Sequence, residues 1–165
     1  MNASVDFDHC LPASWRAAPR TFVSLMTLYE SNYVRWRQLV SDPQLLAGES
    51  LSKPRDDCAL RLRVEERGRY TTTVSLTYLF EQDGVVVSDP DLLVRIYHDA
   101  RLVEAMRFAR EHRHRMLHAL EVAARSELNA RWRRNTMLNK WLEYCIERGH
   151  RFQSSGDATR TRDDG

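Results

Sequence analysis

Residues 58–108 read CALRLRVEERGRYTTTVSLTYLFEQDGVVVSDPDLLVRIYHDARLVEAMRF. Apolar and polar side chains alternate through most of this stretch, the period of a β-strand with one buried face. Leu60, Leu62 and Val64 alternate with Arg61 and Arg63, so the aliphatic set faces a core and the arginines face outward. Glu66-Arg67-Gly68-Arg69 turns the chain. The next strand sets Tyr70, Thr72, Val74, Leu76, Tyr78 and Phe80 against Thr71, Thr73, Ser75 and Thr77 on the opposite face. Its β-branched and aromatic content favours a strand over a helix.

Gln82-Asp83-Gly84 is a second turn signal, followed by brief pairing over 85–87 and a break at Ser88-Asp89-Pro90. Residues 92–98 and 102–108 then flank Asp99-Ala100 as a hairpin. With that pair as the loop, Arg95 lies opposite Glu104 and Tyr97 opposite Leu102. Arg95 and Tyr97 thereby join Arg61, Arg63 and the threonine row on one outward face.

On the N-terminal side, Phe22, Leu25, Met26, Tyr29, Tyr33, Trp36 and Val40 recur at three- and four-residue intervals, the stripe of a helix that ends at Ser41-Asp42-Pro43. Residues 44–57 carry Gly48, Ser50, Ser52 and Pro54, a loop composition. After Phe108 comes a basic connection, then a helix over about 115–127. A last helix carries the stripe Leu138, Trp141, Leu142, Cys145 and Ile146, with Gly149 at the terminating position. The expected fold is α+β: a four-stranded antiparallel sheet with an N-terminal helix and C-terminal helices packed on one face. Residues 1–18 are read as an irregular arm, 19–150 as a single α+β domain and 151–165 as a disordered tail.

Composition sets the outer bounds. A chain of 165 residues with a net charge of +2, from 25 basic and 23 acidic side chains, can bury a core, and its overall charge does not point to nucleic acid. Cys10, Cys58 and Cys145 form no metal-ribbon or disulfide spacing, no secretory signal opens the chain, and no window has the apolar length of a membrane span. The expected location is the cytoplasm.

Three separated stretches carry a family resemblance: Arg-Tyr-Thr-Thr at 69–72, Val-Arg-Ile-Tyr-His-Asp-Ala at 94–100 and Leu-Asn-Lys-Trp-Leu-Glu-Tyr-Cys at 138–145. Together they resemble the YqiB-like bacterial family, a domain of unknown function. The resemblance runs from about Phe22 to Gly149 and implies a cytoplasmic bacterial protein without assigning a chemistry. Members of that family tend to carry an acidic pair and a glutamine before the last helix. Here the sequence is Asn129-Ala130-Arg131-Trp132-Arg133-Arg134, and Asn135 is the matching position.

The candidate ligand-binding set is Arg61, Arg63, Arg69, Tyr70, Thr71, Thr73, Arg95, Tyr97 and His98. Guanidinium forks fit phosphate or carboxylate and hydroxyls add neutral hydrogen bonds, so this set suits an anion or an acidic partner. A solvated face laced with cross-strand pairs is the plainer reading. His98-Asp99 suggests acid–base chemistry, but neighbours on a strand point apart and no nucleophile elbow accompanies them. His114, His118 and Glu121 have a metal-competent helical spacing, although the flanking arginines favour a solvated basic face, and no metal or other cofactor is expected. Arg110, Arg113, Arg115, Arg125, Arg131, Arg133 and Arg134 surround Trp132, an arrangement that can meet nucleic-acid phosphates while the indole stacks on a base.

The leading expectation is a non-enzymatic binding or regulatory module for an acidic protein partner or a small anionic ligand, with no membrane association. A nucleic-acid-binding accessory protein and a small hydrolase are the alternatives. The aromatic helical stripe also suits a homodimer.

Overall fold

The computed structural model describes residues 20–42, 46, 48–89, 91–108 and 127–153. In chain order these form α1 (Phe22–Leu39), β1 (Glu49–Ser52), β2 (Ala59–Arg67), β3 (Thr71–Gln82), β4 (Val85–Ser88), β5 (Leu92–Tyr97), β6 (Leu102–Phe108) and α2 (Glu127–Glu147). The arrangement is α+β, an antiparallel sheet preceded by one helix and followed by another. The arm, most of the 115–127 helix and the tail beyond residue 153 fall outside the described residues. No helix among the described residues is long and apolar enough to cross a membrane.

The sheet has six strands, not four, in the order β1-β2-β3-β5-β6 with β4 also paired to β3. Strand β1 is the unexpected addition. Its Glu-Ser-Leu-Ser has no β signature, and pairing with β2 through Leu51 opposite Arg61 and Ser52 opposite Leu60 creates it. Strand β3 is long enough to hold β5 along its first half and β4 along its second, while β2 runs along its other edge. The hairpin register is the expected one, with Arg95 opposite Glu104 and Tyr97 opposite Leu102.

Helix α1 begins at a capping box: Ser24 N–H donates to Thr21 Oγ1 and Thr21 N–H donates to Ser24 Oγ, each at 3.1 Å. Its buried side is Leu25, Leu28, Tyr29, Asn32, Trp36 and Leu39, so the stripe is rotated from the expected one and Phe22 is 68% exposed. The inner sheet face, including Leu60, Leu62, Val74, Leu76, Val94 and Ile96, packs in one cluster with Trp36, Leu39, Leu138, Leu142 and Cys145. A second cluster of Leu25, Leu28, Tyr29 and Trp132 gathers Leu102. The helices thus cover the inner face and also reach along β6.

Asn32 explains the rotation. Its Nδ2 donates to Val103 O at 3.3 Å and to Asn135 Oδ1 at 3.2 Å, and Ala105 N–H donates to Asn135 Oδ1 at 2.8 Å. Asn139 Nδ2 then donates to Asn32 Oδ1 at 2.9 Å. All three asparagines are fully buried. Asn32 and Asn135 supply amide groups where β6 would otherwise need another strand, with Asn139 holding Asn32 from behind, and so satisfy an edge that lies beneath two helices.

Helix α2 ends in a Schellman motif, with His150 N–H donating to Cys145 O and Gly149 N–H to Ile146 O, both at 3.0 Å. Gly149 has φ +87°, as expected of the terminator read in the sequence. The exit segment then returns to α1: Phe152 is buried, forms a parallel bridge with Val40 and donates its N–H to Leu39 O at 2.8 Å.

Candidate functional site

The outward face assembles as its phasing implies. Thr71 pairs with Tyr97, Thr73 with Arg95, Arg61 with Thr77 and Arg63 with Ser75. Much of it is internally partnered. Arg95 donates from Nε to Thr73 Oγ1 at 3.2 Å and pairs with Glu66 at 3.7 Å, and Arg63 pairs with Glu65 at 3.7 Å. Tyr97 O–H donates to Glu104 Oε2 at 3.1 Å. The other oxygen of Glu104 accepts from Tyr29 O–H at 3.0 Å and lies 3.5 Å from Arg131. Burial and the Glu104 carboxylate raise both phenols above their ordinary pKa, so they stay protonated donors.

Arg69 and His98 sit elsewhere. A β-bulge between Val64 and Glu66 shifts the phase of β2, so Glu66 pairs with Thr73 on the outer face and Arg67 with Thr72 on the inner one. An unbroken alternation would place Arg67 opposite Thr71, facing out. His98 continues the inward phase of Ile96, and its Nε2 lies 2.8 Å from Thr72 Oγ1. Arg67, Gly68, Arg69, Thr72 and His98 line a polar pocket of about 230 Å³. The turn that carries it is tight: Gly68 N–H donates to Thr71 O at 2.8 Å, and a Cβ on Gly68 would lie 2.8 Å from Thr71 Oγ1. His98 N–H donates to Tyr70 O at 2.9 Å, tying the start of the β5–β6 turn to the β2–β3 turn.

Two arginines bring positive charge to the pocket. Arg69 lies 5.1 Å over the Tyr70 ring and makes no ion pair among the described residues. Arg67 donates to the carbonyl of Leu46 and adds its charge to the site. Burial lowers the His98 pKa from 6.5, assisted by Arg67, while Asp42 and Asp99 oppose the shift. The imidazole is therefore neutral at neutral pH and one ring nitrogen carries a proton to donate. Asp99 does not pair with it; its Oδ1 accepts from Ala100 N–H at 2.9 Å, the ordinary role of a turn aspartate.

Sequence reasoning missed Arg67 and Thr72 as pocket residues. The available signal was the failed alternation at Glu65-Glu66, where two consecutive carboxylates mark the bulge. It also missed a cluster at the opposite end of β3. Fully buried His150 has Nδ1 3.1 Å from Ser52 Oγ and Nε2 3.2 Å from Asp57 Oδ2, and Tyr78 O–H donates to the same Asp57 oxygen at 3.1 Å. Ser52 is buried, its oxygen also accepts from Arg151 N–H at 3.1 Å, and it lies outside the pocket of Arg67, Arg69 and His98. These contacts tie the exit of α2 to β1 and the β1–β2 loop.

The nucleic-acid constellation is corrected at one point. Trp132 is buried between the helices in the second core cluster, so its indole face is not presented to a base. His114, His118 and Glu121 lie outside the described residues, as do Arg110, Arg113, Arg115 and Arg125. Among the described residues no group of three or more His, Cys, Asp or Glu side chains is placed to hold a metal ion.

Fold and site together define an α+β protein whose helices seal one sheet edge and whose central strand begins at a small arginine-lined pocket. The chain belongs to the family described as "Protein of unknown function (DUF1249)", whose family model matches residues 35–151. It is similar to "Uncharacterized protein YqiB" of Escherichia coli K12 and of Escherichia coli O157:H7, each 28% identical over 131 residues, 78% of this chain and 90% of the relative. No solved structure matches. The matched range contains every pocket residue.

Proposed function

We propose that the protein is a non-enzymatic binding module for a small oxyanion of the phosphate or sulfate type, held between Arg69, Arg67 and His98, with Tyr70 and Thr71 shaping the turn. One observation carries the reading: two arginines and the hydrogen-bonded pair of His98 and Thr72, which keeps one proton to donate, line a pocket whose wall holds no carboxylate among the described residues. Guanidinium groups offer paired donors to anionic oxygens, and a neutral imidazole adds a directional one. The outer face of Arg61, Arg63, Thr73, Arg95 and Tyr97 supports an acidic protein partner less well, because such a partner must displace Glu65, Glu66 and Glu104 from their contacts.

The test is an amide-resolved NMR titration with sodium sulfate at constant ionic strength. Sulfate is expected to shift Arg67, Arg69, Thr72 and His98. Arg69→Ala is expected to weaken binding about tenfold, the equivalent of one charge-assisted hydrogen bond, with little change in melting temperature. Arg95→Ala is expected to leave sulfate affinity unchanged. Shifts confined to the Arg61, Arg63 and Arg95 face, with loss in Arg95→Ala, would replace the pocket by the outer face. An Arg69→Ala variant that binds sulfate as the parent does would end the proposal.

A further inference from the structure

We propose that a second cavity, at the other end of β3, holds a small organic cation with an alkylammonium head. The cavity has a volume of about 540 Å³, and Asp57, Tyr78, Phe80, Asp89 and Tyr144 are among its walls, with exposed Cys58 beside them. That volume lies in the usual range of small-molecule sites. Three aromatic rings and three carboxylates, those of Asp57, Glu81 and Asp89, contribute to the wall, and among the described residues that line it none is a lysine or arginine. Ring faces attract a cation through their quadrupole, most strongly where water is partly excluded.

Asp57 gives the cavity its sign. Its Oδ2 accepts from Tyr78 O–H and faces His150 Nε2, and its Oδ1 accepts from Cys58 N–H at 2.8 Å. Burial lowers the His150 pKa below 6.5, outweighing the opposing pull of Asp57, so the ring is neutral at neutral pH. Burial likewise raises the Tyr78 phenol far above its ordinary range, with Cys145 and Asp57 adding to the shift. All three donors are then uncharged, so none of them sets a positive charge beside the carboxylate behind the aromatic wall. Outside the wall, the chain's own Arg148 sits 5.3 Å over the Tyr144 ring and donates from Nε to its hydroxyl at 3.2 Å, so an entering cation competes with that guanidinium for the ring.

The proposal stands apart from the oxyanion pocket and is tested separately, by titrating the full chain with choline and with 3,3-dimethylbutan-1-ol, the uncharged molecule of the same shape. Choline is expected to shift the amides of Cys58, Phe80, Gln82 and Tyr144 and not those of Arg69 and His98. Its dissociation constant is expected on the order of 1–10 mM, with the alcohol at least about tenfold weaker. Choline should also slow alkylation of Cys58 by iodoacetamide, read on the Cys58 peptide by mass spectrometry. Tyr144→Leu should weaken choline about tenfold. Equal binding of choline and the alcohol would reduce the site to an apolar cavity and overturn the proposal. Shifts elsewhere, or none at roughly 100 mM choline, would do the same. The comparison on the parent protein decides the matter even if Tyr144→Leu does not fold.

Discussion

Replacing Asn135 by Ala should be among the most damaging single changes in this protein, although it removes only a small polar side chain. Asn135 is fully buried, and its Oδ1 accepts from Ala105 N–H at 2.8 Å and from Asn32 Nδ2 at 3.2 Å, while its Nδ2 donates to Arg131 O at 2.9 Å. Truncation leaves the buried Ala105 amide with no strand beyond it among the described residues. Asn32 retains Val103 O as an acceptor, so its loss is partial. One buried backbone donor left unsatisfied costs about 1–3 kcal/mol, and the weakened Asn32 contact adds about 1 kcal/mol. The sum is about 3 kcal/mol, a large share of the ~5–15 kcal/mol that holds a domain together. In urea titrations the midpoint should fall with little change in slope, and the melting temperature should drop by roughly 10 °C. Val34→Ala, at a position 56% exposed on α1, serves as the control and should stay within about 0.5 kcal/mol. Asn32→Ala combined with Asn135→Ala should lose less than the two single losses added, because the first change already removes the bond between them. The edge-sealing argument fails if Asn135→Ala shifts stability no more than Val34→Ala does.

Other outcomes follow from the same geometry. Gly149→Ala should destabilise by about 1–2 kcal/mol through its φ of +87° alone, since a Cβ there meets Pro54 Cβ at an ordinary 3.9 Å; a denaturation curve overlaying the parent would contradict the strained cap. His98 and His150 both have folded pKa values below 6.5, with burial the leading cause. The unfolded chain therefore takes up protons first, so stability present above about pH 6.5 should be lost as pH falls through it. His150→Gln should flatten that slope, and an unchanged slope in both His150→Gln and His98→Gln would remove the histidines as its source. Under native conditions iodoacetamide should modify exposed Cys58 and spare Cys145, whose burial raises the thiol to about 12; equal rates on the two peptides would contradict that burial.

Strand phasing made the sheet legible. Period-two alternation at Leu60, Leu62 and Val64 and again through Val74, Leu76 and Tyr78 fixes which side of each strand is buried, because no other phase hides the aliphatic set. The spacing of the β5–β6 hairpin likewise fixed Arg95 opposite Glu104. Local information failed where a contact distant in sequence overrides it. Strand β1 has no β propensity of its own and forms because β2 offers an edge. Asn32, a polar break in a helical stripe, is buried because β6 and Asn135 satisfy it from 71 and 103 residues away.

The candidate site divides in the same way. Sequence alone placed Arg69 beside the β2–β3 turn, put Arg61, Arg63, Thr71, Thr73, Arg95 and Tyr97 on one face and separated His98 from Asp99. These are consequences of backbone periodicity, which nearest neighbours along the chain determine. Tertiary structure alone decided that a bulge at Val64/Glu66 swings Arg67 onto the inner face, that His98 meets Thr72 across β3, and that Asp57, Tyr78 and His150 converge near a second cavity. A one-residue slip in a ladder reverses every side chain beyond it, and only the partner strand fixes where that slip falls.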